Sequence, residues 1–142
     1  MSELFLLARI AGRDVALRSE EVESVVDIVD VVPIPRAAEH VRGLAALRSR
    51  VVTVIDPALA LGLGRPSASA RRAVITRVDG HHYAVLVESL EDVAPCDLQP
   101  LSTGLALDAG WATTAIGMVD RSGTPVLALD ISRLLAGTAL AA

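Results

Sequence analysis

Val41-Arg42-Gly43-Leu44-Ala45-Ala46-Leu47-Arg48-Ser49-Arg50-Val51-Val52-Thr53-Val54-Ile55-Asp56 holds two apolar runs joined by a short charged Arg-Ser-Arg turn. The second run is dense in β-branched residues and stops at Asp56-Pro57. Branched side chains suit a pleated, half-buried surface, and proline cannot extend a ladder, so the stretch reads as a β-hairpin with an arginine at its corner. The unit returns later in the chain. Gly117 stands as far before Asp130 as Gly43 stands before Asp56, and Val126-Leu127-Ala128-Leu129 takes the place of the second run.

Two further stations repeat in the same order. Gly12-Arg-Asp-Val-Ala-Leu answers Gly80-His-His-Tyr-Ala-Val, and Val22-Glu23-Ser24 answers Val87-Glu88-Ser89. Three matches in one order predict a pseudo-duplicated all-β architecture whose loops vary while its strands persist. Hairpins are expected at Leu4–Ile10 with Arg13–Leu17, around Gly12, and at Ala73–Val78 with Tyr83–Glu88, around Asp79-Gly80. Val22–Val32 reads as one long strand. Its acids Asp27 and Asp30 are an odd number apart and would face opposite sides, so a bend is expected in its middle. Short helical turns are expected at Ser19-Glu20-Glu21, from Pro57 to Gly64, and after Asp130. Arg65–Arg72 is the one linker-like segment. Long amphipathic helices are missing, which excludes a doubly wound α/β fold. Frequent short strands point instead to small barrels that close their own edges.

Composition narrows the function. The chain has 142 residues, enough for one domain or two halves sharing a core. Phe5, Tyr83 and Trp111 are its three aromatics, so aliphatic residues must fill that core. A formal charge of −4 disfavours general nucleic-acid binding, which needs a basic face. All thirteen basic residues are Arg, which rules out lysine chemistry. One cysteine, Cys96, excludes an intrachain disulfide and suits a reducing compartment. The start, Met1 to Arg9, reads as a first strand rather than a signal peptide, and no run approaches the roughly 18 apolar residues of a membrane span. Membrane association would have to come through a partner.

At this point the chain resembles the chemotaxis coupling protein family CheW, roughly from Phe5 to Gly137. The strongest part is Pro33 to Asp56. It contains Pro35, then Val41-Arg42-Gly43-Leu44, the corner Ala46-Leu47-Arg48-Ser49, and the β run to Asp56. Leu86-Val87-Glu88-Ser89-Leu90-Glu91-Asp92-Val93 and Leu129-Asp130-Ile131-Ser132-Arg133-Leu134-Leu135 are similar to later family segments. Three positions depart from the pattern: Ser49 stands for a corner glycine, Ala46 for an asparagine, and Ser24 for an acid.

The resemblance implies two five-stranded SH3-like β-barrels with short helices, in a single domain over 1–142. The first barrel is expected at approximately 14–64 and the second at approximately 73–136, with some strand exchange near the N-terminus. It also implies a non-enzymatic adaptor without cofactor or metal, coupling the cytoplasmic tip of chemoreceptors to the regulatory domain of the histidine kinase CheA. Its place would be the cytoplasm, at membrane-associated receptor arrays, with no insertion into the bilayer. The departures leave open a coupler for a specialised pathway other than chemotaxis.

The candidate partner-binding residues are Arg48, Leu47, Ser49, Arg42, Val25 and Glu88. Arg48 matches the arginine of the family corner, and a guanidinium that pairs with carboxylates and stacks on apolar surface suits an interface anchor. The alternative is an internal brace from Arg48 to an acid such as Glu88. Arg42 and Arg50 read more readily as solvated, and Gly43 as relief for crowding at a strand start.

The competing class is a small β-barrel ligand-binding or enzymatic domain. A nucleophile built from Cys96 with His40, His81 or His82 is conceivable, but Cys96 reads more simply as a packing residue beside a turn. His81 and His82, adjacent on a strand, point to opposite faces and cannot grip one metal together. Glu88, Glu91 and Asp92 read as a solvated or partner-facing patch rather than an acid–base pair. A third reading has an exposed strand edge accept a partner's strand.

Overall fold

The computed structural model describes residues 2–48, 50–64, 71–101 and 107–136. The chain runs through β1 (Glu3–Ile10), β2 (Arg13–Arg18), a 3-10 turn (Ser19–Glu21), β3 (Ser24–Asp27), β4 (Val41–Leu47), β5 (Arg50–Ile55) and α1 (Pro57–Ala60). A second series follows: β6 (Arg72–Val78), β7 (His81–Val87), β8 (Ser89–Cys96), α2 (Ala109–Thr114), β9 (Ala115–Arg121), β10 (Thr124–Leu129) and α3 (Ile131–Leu134). Three of the hairpins turn at Ala11-Gly12, Asp79-Gly80 and Ser122-Gly123. Both residues of each pair have positive φ, the geometry that matches the twist of the flanking strands.

Among the described residues, ten strands form two five-stranded sheets, ordered β8-β1-β2-β10-β9 and β3-β6-β7-β5-β4. The all-β class with short helices is therefore the observed one. The two sheets draw on both halves of the chain. Each sheet takes its first hairpin from one half of the chain and its last three strands from the other. The 3-10 turn carries the chain out of the first sheet straight after β2, and β8 returns it straight after β7. Each borrowed hairpin is held on one side by antiparallel pairing, β1 with β8 and β6 with β3, and on the other by parallel pairing: Val15, Ala16 and Leu17 with Leu127, Ala128 and Leu129, and Tyr83, Ala84 and Val85 with Thr53, Val54 and Ile55.

The duplication holds residue by residue in this register, with one correction. Asp27 pairs with Arg72 as Pro95 pairs with Leu4. The equivalent of Val22-Glu23-Ser24-Val25 is thus Leu90-Glu91-Asp92-Val93, three residues beyond Val87-Glu88-Ser89. Val-Glu-Ser recurs there by composition, while the bulge between Leu7 and Ala8 displaces the start of β8. The long Val22–Val32 run is bent, as its acids imply. β3 ends at Asp27, the Ile28 amide donates to the Arg71 carbonyl at 2.7 Å, and the chain touches a sheet again only at Val32. Val32 and Leu44 exchange two backbone hydrogen bonds at 2.8 and 2.9 Å, and so do Gln99 and Met118 at 2.7 and 2.8 Å. These equivalent bridges join the segment following β3 to β4, and that following β8 to β9, drawing the two edges of each sheet together.

Three layers of apolar side chains fill the molecule. Phe5, Leu7, Ala16, Cys96, Val119, Val126 and Ala128 lie inside the first sheet, and Val52, Val54, Ile75, Ala84 and Leu86 inside the second. Between them, Leu6, Ile10, Leu17, Ile55, Val85, Trp111 and Leu129 form a shared core. A strand with an apolar layer on each side reads as a continuous apolar run rather than an alternation, hence Leu4-Phe-Leu-Leu and Tyr83-Ala-Val-Leu-Val. Each fully buried Leu, Ile or Phe contributes about 1.5–3 kcal/mol by leaving water, so the shared layer binds the two sheets firmly.

The helical turns after β5 and β10 are capped alike. The Asp56 carboxylate accepts from the amides of Ala58 and Leu59, and that of Asp130 from the amides of Ser132 and Arg133. The helix α2 is not signalled in the sequence. Ala109-Gly-Trp-Ala-Thr-Thr contains poor helix formers, and Asp108 makes no side-chain cap bond. Burial of Trp111, with the Arg13 guanidinium 5.0 Å from its ring centre, holds α2 in place.

Candidate functional site

The β4–β5 hairpin pairs Leu47 with Arg50 and puts Arg48 at its corner. Arg48 adopts φ 54°, a left-handed conformation that an L side chain enters at a cost. The family pattern suggests that strain would fall on Ser49, but that residue lies outside the described set. Arg48 is exposed, and no ion pair or hydrogen bond ties it to another described residue, so it does not brace Glu88.

Arg48 stands at the rim of a groove of about 700 Å3. Val25, Val26, Leu47 and Ile75 make its apolar floor, with Glu23 and Arg50 as further charged walls. The groove exists because the segment after β3 meets β4 at the Val32–Leu44 bridge, while β3 at Val25 and β4 at Leu47 are not paired with each other. Val25 on β3 is 41% exposed, and Val51 on β5, opposite Ala46 of β4, 59%. Arg48, Leu47 and Val25 therefore share one surface, as a partner-binding reading requires.

Arg42 and Glu88 lie elsewhere. Arg42 sits at the bulge between Val41 and Gly43, and its Nη2 is 3.0 Å from Asp56 Oδ2. Asp56 is fully buried, so the cation offsets the desolvation of an interior carboxylate and holds the hairpin against α1. Glu88 accepts the Gly12 amide at the β1–β2 turn, while its own amide donates to the Arg9 carbonyl at 2.8 Å. Gly43 stands against the Val32 carbonyl at the bridge, which is where crowding arises.

Sequence reasoning missed the charge network on the groove wall. Glu23 pairs with Arg50 at 3.3 Å and with His82 Nε2 at 3.1 Å. Glu91, equivalent to Glu23 in the second series, pairs with Arg121. The Val-Glu-Ser and Leu-Glu-Asp match carried that signal. Val29, Val32, Ile34 and Leu44 are exposed along the outer seam of the second sheet, and only their apolar character announced them.

The enzymatic alternative finds little in the geometry. Cys96 is buried in β8, in the first sheet, whereas His81 and His82 belong to β7 in the second. Burial, then the charges of Asp97 and Asp120, push the Cys96 thiol above its usual range, the opposite of what a nucleophile needs. His81 meets Tyr83 edge to face, and His82 faces Glu23. No group of three His, Cys, Asp or Glu among the described residues could hold a metal ion.

Comparison with known proteins decides the family. The family model described as CheW-like domain matches residues 4–139. The chain belongs to the CheW-like domain family. It is 22% identical over 116 residues to the chemotaxis protein CheW of Thermotoga maritima, covering 82% of this chain and 76% of that protein. Its fold is that of the scaffolding protein TtCheW from Thermoanaerobacter tengcongensis, with a TM-score of 0.76 and 22% identity over 91% of this chain and 89% of the other. The scaffolding role is that of the solved relative TtCheW; in this chain the described residues offer a groove and no cluster that could hold a metal ion.

Proposed function

We propose that this CheW-like chain couples the cytoplasmic tip of chemoreceptors to the regulatory domain of the kinase CheA, through protein–protein contacts alone. The observation that carries the reading is the arginine corner. Arg48 is exposed, ion-pairs with no described residue and is held in a strained conformation beside the apolar Val25 and Leu47. Its positive φ is the one shared by the first turn residues Ala11, Asp79 and Ser122 of the other hairpins, so what sets Arg48 apart is the exposed guanidinium carried at that corner. A guanidinium above an apolar floor fits a partner that brings a carboxylate and an aliphatic side chain together. Ser49, next in sequence, extends the candidate surface. Arg42 acts on it indirectly, by fixing the hairpin through Asp56.

No helix among the described residues is long and apolar enough to cross a membrane. The reading places the chain in the cytoplasm, at membrane-associated receptor arrays, held there by its partners. Recovery of a CheA regulatory domain on immobilised chain, wild type against Arg48→Ala, tests the site. Loss of recovery with the variant supports it, and equal recovery removes Arg48 from the interface.

A further inference from the structure

Asp56 and Asp130 occupy equivalent places, yet their surroundings differ. Each follows the last strand of its series and caps a short helix, and each donates its amide to a matching carbonyl, His40 or Thr114. The bulge residue facing Asp56 is Arg42, whereas the equivalent bulge residue before Asp130 is Ile116. The helix after Asp56 begins with Pro57, which has no amide hydrogen to satisfy; the helix after Asp130 begins with Ile131, which has one. Glu21 fills that vacancy, with Oε1 3.5 Å from the Ile131 amide nitrogen and its carboxyl group hydrogen-bonded to Asp130. One series thus has a carboxylate neutralised by arginine, and the other has two carboxyl groups face to face.

Glu21 belongs to the 3-10 turn through which the chain leaves the first sheet for the second. Its carbonyl accepts the hydroxyl of Thr76, on β6 of the second sheet, at 2.6 Å. Its side chain rests on α3, which follows β10 of the first sheet. The other charged groups at the pair are Arg18 on β2, itself engaged by Glu3 of β1, and Arg133 on α3, with Nε 3.9 Å from Asp130 Oδ2. Arg133 also donates to the Ala115 carbonyl. Neither cation makes with the pair the close contact that Arg42 makes with Asp56.

We propose that Glu21 and Asp130 share one proton and thereby latch the two sheets together, the latch closing when the proton is held and weakening when it is lost. Burial first, then the charge of Asp130, raise the Glu21 carboxyl from 4.5 to about 7. Burial works against Asp130 too, but hydrogen bonds from the Ser132 hydroxyl, the Arg133 amide and Glu21 keep it below its usual range, so the proton resides on Glu21. A folded-state value above the unfolded one means that the contribution is complete below about 4.5, declines as pH rises towards about 7, and changes no further above that.

The test follows the Glu21 carboxyl carbon by NMR, together with urea unfolding and Ile131 amide exchange, from pH 4 to 8. Wild type is compared with Glu21→Gln and Asp130→Asn. Glu21 should titrate near neutrality in the wild type and move towards the ordinary carboxylate range in Asp130→Asn. Relative to Glu21→Gln, the wild-type opening constant should rise several-fold per pH unit between about 5 and 7, tenfold being the one-proton limit, and then level off. A wild-type Glu21 that titrates in the ordinary range, or the same pH slope in both proteins, overturns the latch. Should Glu21→Gln fail to fold, the wild-type carboxyl titration alone decides.

Discussion

Gly43 lies so close to the carbonyl of Val32 that a Cβ on residue 43 would stand 2.2 Å from the oxygen. Gly117 stands in the same relation to Gln99, at 2.3 Å. Both glycines precede the residue that makes the bridge between sheet edges, so they are the points where each seam is drawn shut. Gly43→Ala and Gly117→Ala should each cost about 3 kcal/mol or more, because backbone rather than a movable side chain is in the way. Gly12→Ala has open space around its Cβ and should cost only about 1 kcal/mol, from its φ of 81°. Urea unfolding followed by Trp111 fluorescence measures all three. Equal losses at residues 12 and 43 would contradict the close approach.

Arg42 is expected to act on stability before binding. Removing it strands a buried carboxylate, although the amides of Ala58 and Leu59 still face Asp56. Because Arg42 is itself 42% exposed, Arg42→Ala should cost about 2 kcal/mol, short of the 3–5 kcal/mol of a fully buried pair. Thermal unfolding checks this. An unchanged midpoint with weakened partner binding would assign Arg42 to the interface instead.

At Arg48, stability and binding should separate. Glycine accepts a φ of 54° freely, so Arg48→Gly should be about 1 kcal/mol more stable than Arg48→Ala. Both variants lose the guanidinium, and each should weaken kinase-domain binding by at least roughly tenfold, as truncation of an anchor residue does. Titration calorimetry alongside thermal melts reads both quantities. Binding restored in the glycine variant would show that backbone shape, not the side chain, is recognised.

Cys96 should behave as a packing residue. Burial and a raised thiol predict slow labelling by a disulfide reagent in the folded protein and fast labelling once unfolded. Cys96→Ala should cost about 1 kcal/mol and leave partner binding intact. Abolished function in a folded Cys96→Ala protein would revive the enzymatic alternative.

The sequence showed what is local or repeated and hid what depends on distant pairing. Turns at Ala11-Gly12 and Asp79-Gly80, the helical turn after Asp56, the Asp130 cap and the arginine corner are written in a few adjacent residues, so they could be read directly. The hairpin exchange between sheets was expected only in outline, through the family resemblance, because nothing within β2 or β10 reveals that Ala16 pairs with Ala128. The middle station of the repeat misled because Val-Glu-Ser recurs by composition while the bulge in the β1–β8 pairing shifts the register. Arg42 read as solvated because its partner, Asp56, lies fourteen positions away and is buried only in the fold. Val25 and Leu47 were expected beside Arg48 as partner-binding residues, and the fold brings the three to one groove. The Glu23–Arg50–His82 network, drawn from three separate strands or turns, was not.

The most direct test of the adaptor reading is CheA autophosphorylation on receptor-bearing membranes, measured with the chain omitted, with wild type, and with Arg48→Ala at equal concentration. Receptor-dependent kinase activity should appear with wild type and fall to the level of the omitted control with Arg48→Ala. Activity indifferent to addition of the wild-type chain would contradict the coupling role.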